Sequence, residues 1–323
     1  MKYDFSVIVI TYHPIKHKLL STLSSILNQT DISFEIILAD DGSDCFFQPE
    51  IQKFMAEHSF QDYQILAHPT NQGTVKNLLD ALRISQGRYV KVISPGDFLY
   101  DRRTLRDLYA FMDKHDAKLT FTDMVYYSWE NHKLNVHNVR NPWDISVYPS
   151  NDTYSAKKVL RHMTAYSDTI CGASVFADRA LLLEQLSRLQ DIVIYAEDLV
   201  VQLIAFLGYR IWKYSGIGVW YEYGSGISTN GSAVFSPRLR ADYLNFMRWF
   251  DKTYPGNPSI KSALKIRENL SENRIRTIHI HRLLHWGELL FIMRKKRLYK
   301  SYTAPIPDEH LFHDFYIEAS EVD

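Results

Sequence analysis

The sequence contains little cysteine, no excess of either charge and no long hydrophobic run. Its two cysteines, Cys45 and Cys171, lie far apart, which argues against a disulfide framework or a CxxC-type zinc site and is typical of a reducing compartment. No stretch reaches the roughly 18 consecutive apolar residues that a membrane-spanning helix needs. The first residues do not combine a charged segment with a long apolar one, so we expect no signal peptide. These absences together predict a cytoplasmic protein.

The balance of positive and negative charges argues against nucleic acid as a partner. Lys and Arg number 37 and so do Asp and Glu, whereas binding to phosphate backbones requires a clustered excess of base. We therefore expect no nucleic-acid partner. Hydrophobic residues make up 46% of the chain, which is enough for the core of one large domain or of a domain with an appendage.

The first third of the chain alternates short apolar segments with helical patterns. The apolar segments are rich in β-branched residues, as in strands that are buried on both faces of a sheet. Their alternation with helices predicts βαβ units, a mostly parallel sheet and helices on both of its faces. The strands are predicted at Phe5–Ile10, Phe34–Ala39, Tyr63–Ala67 and Tyr89–Ile93, and the helices at His17–Asn28 and Val75–Ser85.

The pattern changes in the second part of the chain. A polar segment over 130–155 is predicted to be a long loop, Glu197–Phe206 a helix and Tyr209–Tyr223 a β-rich segment, whereas the chain after a Gly- and Ser-rich stretch is mostly helical in pattern. We therefore expect one domain over 1–236, with two halves at about 1–115 and 116–236, and a mostly helical C-terminal region over 237–323.

Unusual polar sequences follow three of the four predicted strands. They are Thr11-Tyr12, Asp40-Asp41-Gly42-Ser43 and Ser94-Pro95-Gly96-Asp97. In open α/β sheets, ligands bind beyond the carboxyl ends of the strands. Neither a dinucleotide fingerprint nor a P-loop is present in the sequence, so these polar segments indicate a site of another kind.

Five segments in a fixed order resemble glycosyltransferase family 2. They are FSVIVITY, EIILADDGS, NQGTVKNLLDAL, YVKVISPGDFLYD and YAEDLV, and the resemblance covers roughly residues 3–230. It implies an α/β fold of the GT-A type, with a mostly parallel sheet flanked by helices and, here, a helical C-terminal extension. It also implies an inverting enzyme that uses a nucleotide-diphosphate sugar.

The resemblance implies a base-binding role for the end of the first two strands. Asp41 matches the acid that accepts hydrogen bonds from the donor's base, usually uracil, and Thr11 and Tyr12 match the segment that lines base and ribose. Asp40 either contacts the nucleotide or caps the turn. The alternatives are an Asx-turn role for Asp41 and a core position for Tyr12.

The NQG segment matches a further family motif on the donor side. Gly73, Lys76 and Asn77 correspond to the family's NxG followed by a basic residue and Asn. Lys76 stands where Arg is frequent, and a lysine meets a phosphate as a point charge rather than through a planar fork. The alternative for Lys76 is a solvated position on a helix.

The family's Asp-x-Asp metal motif is reduced in this chain. Only Asp97 remains of it, in the segment Ser94-Pro95-Gly96-Asp97. One carboxylate, two phosphate oxygens and waters can still hold Mg²⁺ or Mn²⁺, so the resemblance implies one of these ions as a cofactor. The alternative is that Asp97 caps a loop.

Glu197 and Asp198 resemble the family's late Glu-Asp pair. By this resemblance Asp198 is the general base that deprotonates the acceptor hydroxyl, and Glu197 supports it. The alternative is ordinary N-terminal capping of the helix that follows. Tyr221, Tyr223, Ser225 and Ser228 match only loosely a family loop that closes over the substrates.

The C-terminal region is basic. Residues 261–300 hold eleven Lys and Arg against three Glu, which fits an anionic membrane surface, a partner protomer or a solvated helical hairpin. His281 and His285 have a spacing that allows chelation, but we expect them to be ordinary solvated or core residues.

The sequence therefore predicts a transferase that moves a sugar from a UDP-sugar to a glycan, lipid-linked or protein-linked acceptor in bacterial surface polysaccharide biosynthesis. The alternative, motivated by the reduced metal motif, is a noncatalytic subunit that binds sugar nucleotides or serves as a scaffold. A nucleotidyltransferase is disfavoured because no Gly-rich, basic signature opens the chain.

Overall fold

The computed structural model describes residues 2–224, 235–272 and 286–321. Its centre is one sheet with the strand order β3-β2-β1-β4-β8-β6-β9-β5, in which β7 pairs with β6. The strands are β1 (Tyr3–Thr11), β2 (Phe34–Asp40), β3 (Tyr63–Ala67), β4 (Gly87–Ile93), β5 (Phe98–Leu99), β6 (Leu119–Glu130), β7 (Lys133–His137), β8 (Val175–Asp178) and β9 (Ile211–Glu222).

The strand directions change at β4, from parallel on one side to mixed on the other. On one side, β1 pairs in parallel with β2 and β4, and β2 pairs in parallel with β3. On the other side, β8 runs antiparallel to both β4 and β6, and β6 runs parallel to β9. The predicted parallel sheet therefore describes β1 to β4, whereas the strands beyond β4 are mixed.

Helices cover both faces of this sheet. In chain order they are α1 (Lys16–Leu27), α2 (Gln48–Glu57), α3 (Thr74–Ile84), α4 (Thr104–Lys114), α5 (Ala156–Thr164), α6 (Arg179–Ser187), α7 (Val200–Phe206), α8 (Phe235–Thr253), α9 (Pro258–Ser271), α10 (Trp286–Ser301) and α11 (Glu309–His313). Among these described helices, none combines the length and the apolar composition needed to cross a bilayer.

Strand β1 explains why the first segments are almost continuously apolar. Phe5, Val7 and Val9 are buried in a cluster with residues of α1, α2 and α4, whereas Ile8 is buried in a second cluster with residues of α3. Successive side chains of a strand point to opposite faces. A strand with helices on both faces therefore needs apolar residues at almost every position.

Two predictions about the second half were wrong. The segment 130–155 is not one long loop, because Lys133–His137 forms β7 and pairs with the end of β6. The segment Glu197–Phe206 is not one α-helix, because Glu197–Leu199 forms a separate 3₁₀ turn before α7. The sequence analysis also missed α2.

The C-terminal helices pack on the central sheet. Phe246 and Phe250 of α8 and Ile260 of α9 are fully buried in the same cluster as Ile8 of β1. Further along the chain, Phe312 of α11 is fully buried against the sheet. The helical extension therefore contributes to the core around this sheet.

Phe312 provides a test of this packing. Its ring lies 4.9 Å from the ring of Tyr127 and 5.3 Å from that of Trp220, measured between centroids. We expect Phe312→Ala to lower the free energy of unfolding by about 3–5 kcal/mol, because the truncation removes a buried ring and leaves a cavity. Chemical denaturation would measure the change. Ile306→Ala is the control, since Ile306 is 93% exposed, and equal stability of the two variants would contradict the packing.

Candidate active site

A cavity of about 230 Å³ lies beyond the carboxyl ends of β1 and β4. The walls come from several segments that are distant in sequence. They include Ile10, Thr74, Ser94, Pro95, Asp97, Cys171, Gly172, Tyr195, Glu197, Asp198, Tyr221, Glu222, Leu239 and Tyr243. The cavity thus brings the predicted metal ligand and the predicted general base to one place.

The turn Ser94–Asp97 is held by the neighbouring helix α1. The Thr22 hydroxyl donates to the Asp97 carbonyl at 2.9 Å and accepts from the Gly96 N–H at 3.0 Å. Gly96 has a φ of +99°, and a Cβ at this position would collide with the Glu222 carboxylate. A side chain is therefore disfavoured where Gly96 stands, both by the backbone conformation and by the contact with Glu222.

Asp97 is 6% exposed and accepts a hydrogen bond from the Glu222 N–H at 3.0 Å. Burial raises the pKa of Asp97 to about 7, and the Glu222 N–H and the Lys91 ammonium oppose this rise. Lys91 is fully buried in β4, where its ammonium donates to the Ala173 carbonyl. Burial lowers the pKa of Lys91 to about 8. The opposite charges of Lys91 and Asp97 therefore attract each other, and this attraction compensates part of the desolvation of both groups.

The chemistry of the turn allows a divalent cation but does not build a cage for one. Among the described residues, no three His, Cys, Asp or Glu side chains are grouped to hold a metal. Asp97 offers a hard oxygen ligand, whereas the Glu222 carboxylate lies 2.5 Å from the Lys18 ammonium. These residues fit a cation that takes most of its ligands from a bound diphosphate and from water.

Glu197 and Asp198 line the same cavity as Asp97. Burial and the neighbouring Asp198 charge raise the pKa of Glu197 to about 8. Burial raises the pKa of Asp198 to about 6, and two backbone N–H groups oppose this rise. Burial and mutual repulsion therefore disfavour ionisation of both carboxylates at once, so that the pair retains a proton near neutral pH.

The carboxylates of Asp40 and Asp41 both accept hydrogen bonds that hold neighbouring segments at the end of β2. Asp40 accepts from the hydroxyls of Thr11 and Ser43. Asp41 is 4% exposed, and its two oxygens accept from the N–H groups of Gln72 at 2.7 Å and Gly73 at 2.9 Å. Burial raises the pKa of Asp41. These contacts favour the turn-capping role of Asp40 and give Asp41 a structural partner besides any nucleotide.

The other predicted donor residues lie beside the cavity rather than on its wall. Tyr12 is 47% exposed, as a stacking surface requires. Asn77 is buried, its amide donates to the Ala39 carbonyl at 2.9 Å, and its Oδ1 has no hydrogen-bond partner among the described residues. Lys76 is on the surface, 3.8 Å from Asp191. Thr11, Tyr12, Asp40 and Asp41 form a strip at the carboxyl ends of β1 and β2. Gly73 is hydrogen-bonded to Asp41, and the next residue, Thr74, lines the cavity.

Two cavity residues and one of their neighbours were not predicted from the sequence. Glu222 of β9 and Tyr243 of α8 line the cavity. Lys91 of β4 does not line it, but its charge acts on Asp97. Of the predicted closing loop, Tyr221 lines the cavity. Ser225 and Ser228 lie outside the described residues, as do His281 and His285.

Comparison with known proteins identifies the family. A model of the family described as Glycosyl transferase family 2 matches residues 6–181, more than half of the chain. An uncharacterized glycosyltransferase of Mycoplasma pneumoniae, the MG060 homolog, is 30% identical over 139 residues, which are 43% of this chain and 46% of the relative. The uncharacterized protein y4gI of Sinorhizobium fredii is 28% identical over 121 residues, 36% of this chain and 13% of that protein. The matches thus span less than half the length of these two relatives.

Solved structures share the fold at low identity. S. aureus TarS 1-349 in complex with UDP is 18% identical with a TM-score of 0.54, and the match covers 82% of this chain and 71% of that chain. The same fragment in complex with UDP-GlcNAc is 20% identical with a TM-score of 0.52, over 76% of this chain and 66% of that chain. The mannosyltransferase PcManGT from Pyrobaculum calidifontis, in complex with GDP-Man and Mn²⁺, is 16% identical with a TM-score of 0.52, over 92% and 85%.

Proposed function

The chain belongs to glycosyltransferase family 2, and we propose that it transfers a sugar from a UDP-sugar to a hydroxyl group with inversion at the anomeric carbon. The observation that carries this proposal is the single cavity lined by both Asp97 and Asp198. Asp97 suits a cation that binds a diphosphate, and the Asp198 carboxylate suits a proton acceptor.

Asp198 acts as the general base in this proposal. The acceptor oxygen forms a bond to the anomeric carbon while the bond from that carbon to the diphosphate oxygen breaks. The proton of the hydroxyl passes to Asp198, and UDP leaves with the bonding electrons. A base with a pKa of about 6 is largely deprotonated at pH 7 yet basic enough to accept a proton. Glu197, with its pKa raised to about 8, stays mostly protonated and adds no second charge.

The strip at the ends of β1 and β2 is proposed to hold the nucleotide. The exposed ring of Tyr12 provides a flat wall for the base, and Asp41 provides an acceptor for its imide N–H. The complexes of TarS with UDP and UDP-GlcNAc support a uridine nucleotide. The remaining proposed donor contacts are Thr11, Asp40, Gly73, Lys76 and Asn77.

Asp97 is proposed to hold Mg²⁺ or Mn²⁺ at the Ser94–Asp97 turn. The bound Mn²⁺ of PcManGT supports a divalent ion in a protein of this fold. When bound, the ion would offset the charge that develops on the diphosphate as it leaves. The chain's own residues place Asp97 for this role through Thr22 and the Glu222 N–H.

The second candidate function is a noncatalytic sugar-nucleotide-binding or scaffolding subunit. The observation that favours it is the reduced Asp-x-Asp motif, of which only Asp97 remains in the segment Ser94-Pro95-Gly96-Asp97. For the enzyme, we propose a glycan, lipid-linked or protein-linked acceptor in bacterial surface polysaccharide synthesis. We also propose that the halves 1–115 and 116–236 bind donor and acceptor.

The general base can be tested by donor turnover. The protein would be incubated with a panel of UDP-sugars and Mn²⁺, with and without acceptors, and released UDP measured. We expect Asp198→Asn to lower kcat about 100-fold or more, because amide nitrogen and oxygen do not accept the proton. For the wild type, we expect the rate to rise with pH through about 6, since only the deprotonated carboxylate acts as base.

Asp116→Asn is the matched control, because the Asp116 side chain is 81% exposed. Binding of UDP-sugars without turnover by the wild type, even with diverse acceptors, would favour the noncatalytic subunit. Release of pyrophosphate from UTP and a sugar phosphate would indicate a nucleotidyltransferase instead.

Helix α10 has an exposed face that combines apolar and basic residues. Leu290 and Met293 are each 61% exposed, and Arg297 and Lys300 follow them at helical spacing on the same side. Apolar residues beside long basic side chains suit the interface of an anionic bilayer. We therefore propose peripheral membrane contact through α10, at the inner face of the cell membrane, with a homo-oligomer as the alternative partner.

Vesicle binding tests this contact. We expect the protein to cosediment with phosphatidylglycerol vesicles more than with phosphatidylcholine vesicles, and less as salt is raised. The double variant Leu290→Ser, Met293→Ser should lose most of this binding, because it removes the inserting side chains. Vesicle binding unchanged in the variant would contradict the proposal. A dimer in light scattering that this variant dissociates would indicate the homo-oligomer.

A further inference from the structure

Asp242 of α8 is a buried carboxylate whose partners lie far away in sequence. The residue is 2% exposed. Its Oδ1 accepts from the Ile194 N–H at 3.1 Å, and its Oδ2 accepts from the N–H groups of Tyr195 at 2.7 Å and Ala196 at 3.0 Å. Three successive backbone donors therefore converge on one side chain.

These donors directly precede Glu197 and Asp198. The 3₁₀ turn Glu197–Leu199 begins at the next residue, and its N-terminal capping residue, Ala196, has no side-chain cap of its own. Buried N–H groups without acceptors are costly, and a carboxylate is a strong acceptor for them. Asp242 thus satisfies, from another helix, the three N–H groups of the segment that leads into this turn.

The same segment is fixed on its other side by the donor-binding half. The Ile194 carbonyl accepts from the Val75 N–H at 3.0 Å. A Cβ at Gly73 would approach that carbonyl to 2.8 Å and collide with the Ile194 side chain. The turn at Gly73 is itself held by Asp41. The segment 194–196 is therefore held by Asp242 on one side and by the turn at Gly73 on the other.

Helix α8 also forms part of the cavity wall. Leu239 and Tyr243, one turn before and one residue after Asp242, both line the cavity. The nearby Asp198 charge is the main cause that raises the pKa of Tyr243, and Arg267 of α9 lies over the Tyr243 ring at 4.5 Å. The helix that carries Asp242 therefore already lies next to the proposed base.

We propose that Asp242 is a positioning residue, which acts through the backbone of Ile194, Tyr195 and Ala196 to hold the Asp198 carboxylate toward the reacting carbon. This inference rests on the proposed function. It assigns to the C-terminal helical region a part in catalysis that the N-terminal motifs do not contain. A displacement of about 1 Å at a reacting group can lower a rate about 100-fold, so the loss of this support should reduce turnover.

The test compares two substitutions in α8. Asp242→Asn is nearly isosteric but places an amide N–H₂ against backbone donors. Asp251→Asn is the matched control, because Asp251 lies on the same helix about 13 Å further along its axis and its buried Oδ1 has no hydrogen-bond partner among the described residues. The readouts are kcat and KM for the donor, UDP binding stoichiometry by calorimetry, and amide hydrogen exchange of the peptide containing 194–198.

We expect Asp242→Asn to lower kcat per UDP-binding site about 100-fold and to leave donor KM within about twofold, because the donor strip is held by other residues. Exchange at 194–196 should become at least about tenfold faster, with the sheet amides unchanged. Asp251→Asn should match the wild type in every readout.

Unchanged kcat in Asp242→Asn, or unchanged exchange at 194–196, would overturn the proposal. Loss of UDP binding stoichiometry together with activity would overturn it as well, since Asp242 would then be a general requirement for folding. If the wild type binds UDP but turns over no donor, the proposed function fails. Hydrogen exchange would still show whether Asp242 holds the segment.

Discussion

The pairing of β4 on its two edges brings distant segments of the chain to one end of the sheet. One edge pairs in parallel with β1 and the other antiparallel with β8. The parallel edge places the turn after β4 at the same end of the sheet as Thr11 and Asp40. The antiparallel edge brings the segment before β8, with Cys171 and Gly172, to that turn as well. The proposed nucleotide-binding residues and the proposed general base can therefore both lie near Asp97.

The cavity concentrates charge that an ordinary core would exclude. Lys91, Asp97, Glu197 and Asp198 all have pKa values displaced by burial. Desolvated ionisable groups are costly unless they are paired or hydrogen-bonded, and they cluster where a protein performs chemistry. Here the cost is partly offset by the opposite charge of Lys91 and by backbone N–H groups. The remaining rise in the pKa of Asp198 gives this carboxylate a proton affinity that suits a base near neutral pH.

Sequence patterns predicted the parts of this molecule that depend on local signals. Continuous apolar runs predicted β1 to β4, and polar residues after those strands predicted the edge at which the cavity lies. Helix α2 was missed because it buries only Ile51 and Met55. The strand β7 was missed because its five residues are polar and exposed in part, and it is defined by pairing with β6.

The site was predictable only where a motif carried it. Asp97 and Asp198 stand in segments that resemble a family, and the structure places both on one cavity. Asp242 had no such signal, because its partners are backbone N–H groups more than forty residues upstream. Glu222 reaches the turn from β9 only once the second half of the sheet has formed. Long-range backbone contacts of this kind leave no periodicity or spacing in the sequence.

Donor and base are proposed to face each other across the cavity. A crystal structure of the protein with a 2-fluoro UDP-sugar, which slows transfer, would test this arrangement most directly. We expect the diphosphate against the turn Ser94–Asp97 and the anomeric carbon between that turn and the Asp198 carboxylate. A donor bound at another edge of the sheet, or an Asp198 carboxylate directed away from the anomeric carbon, would contradict it.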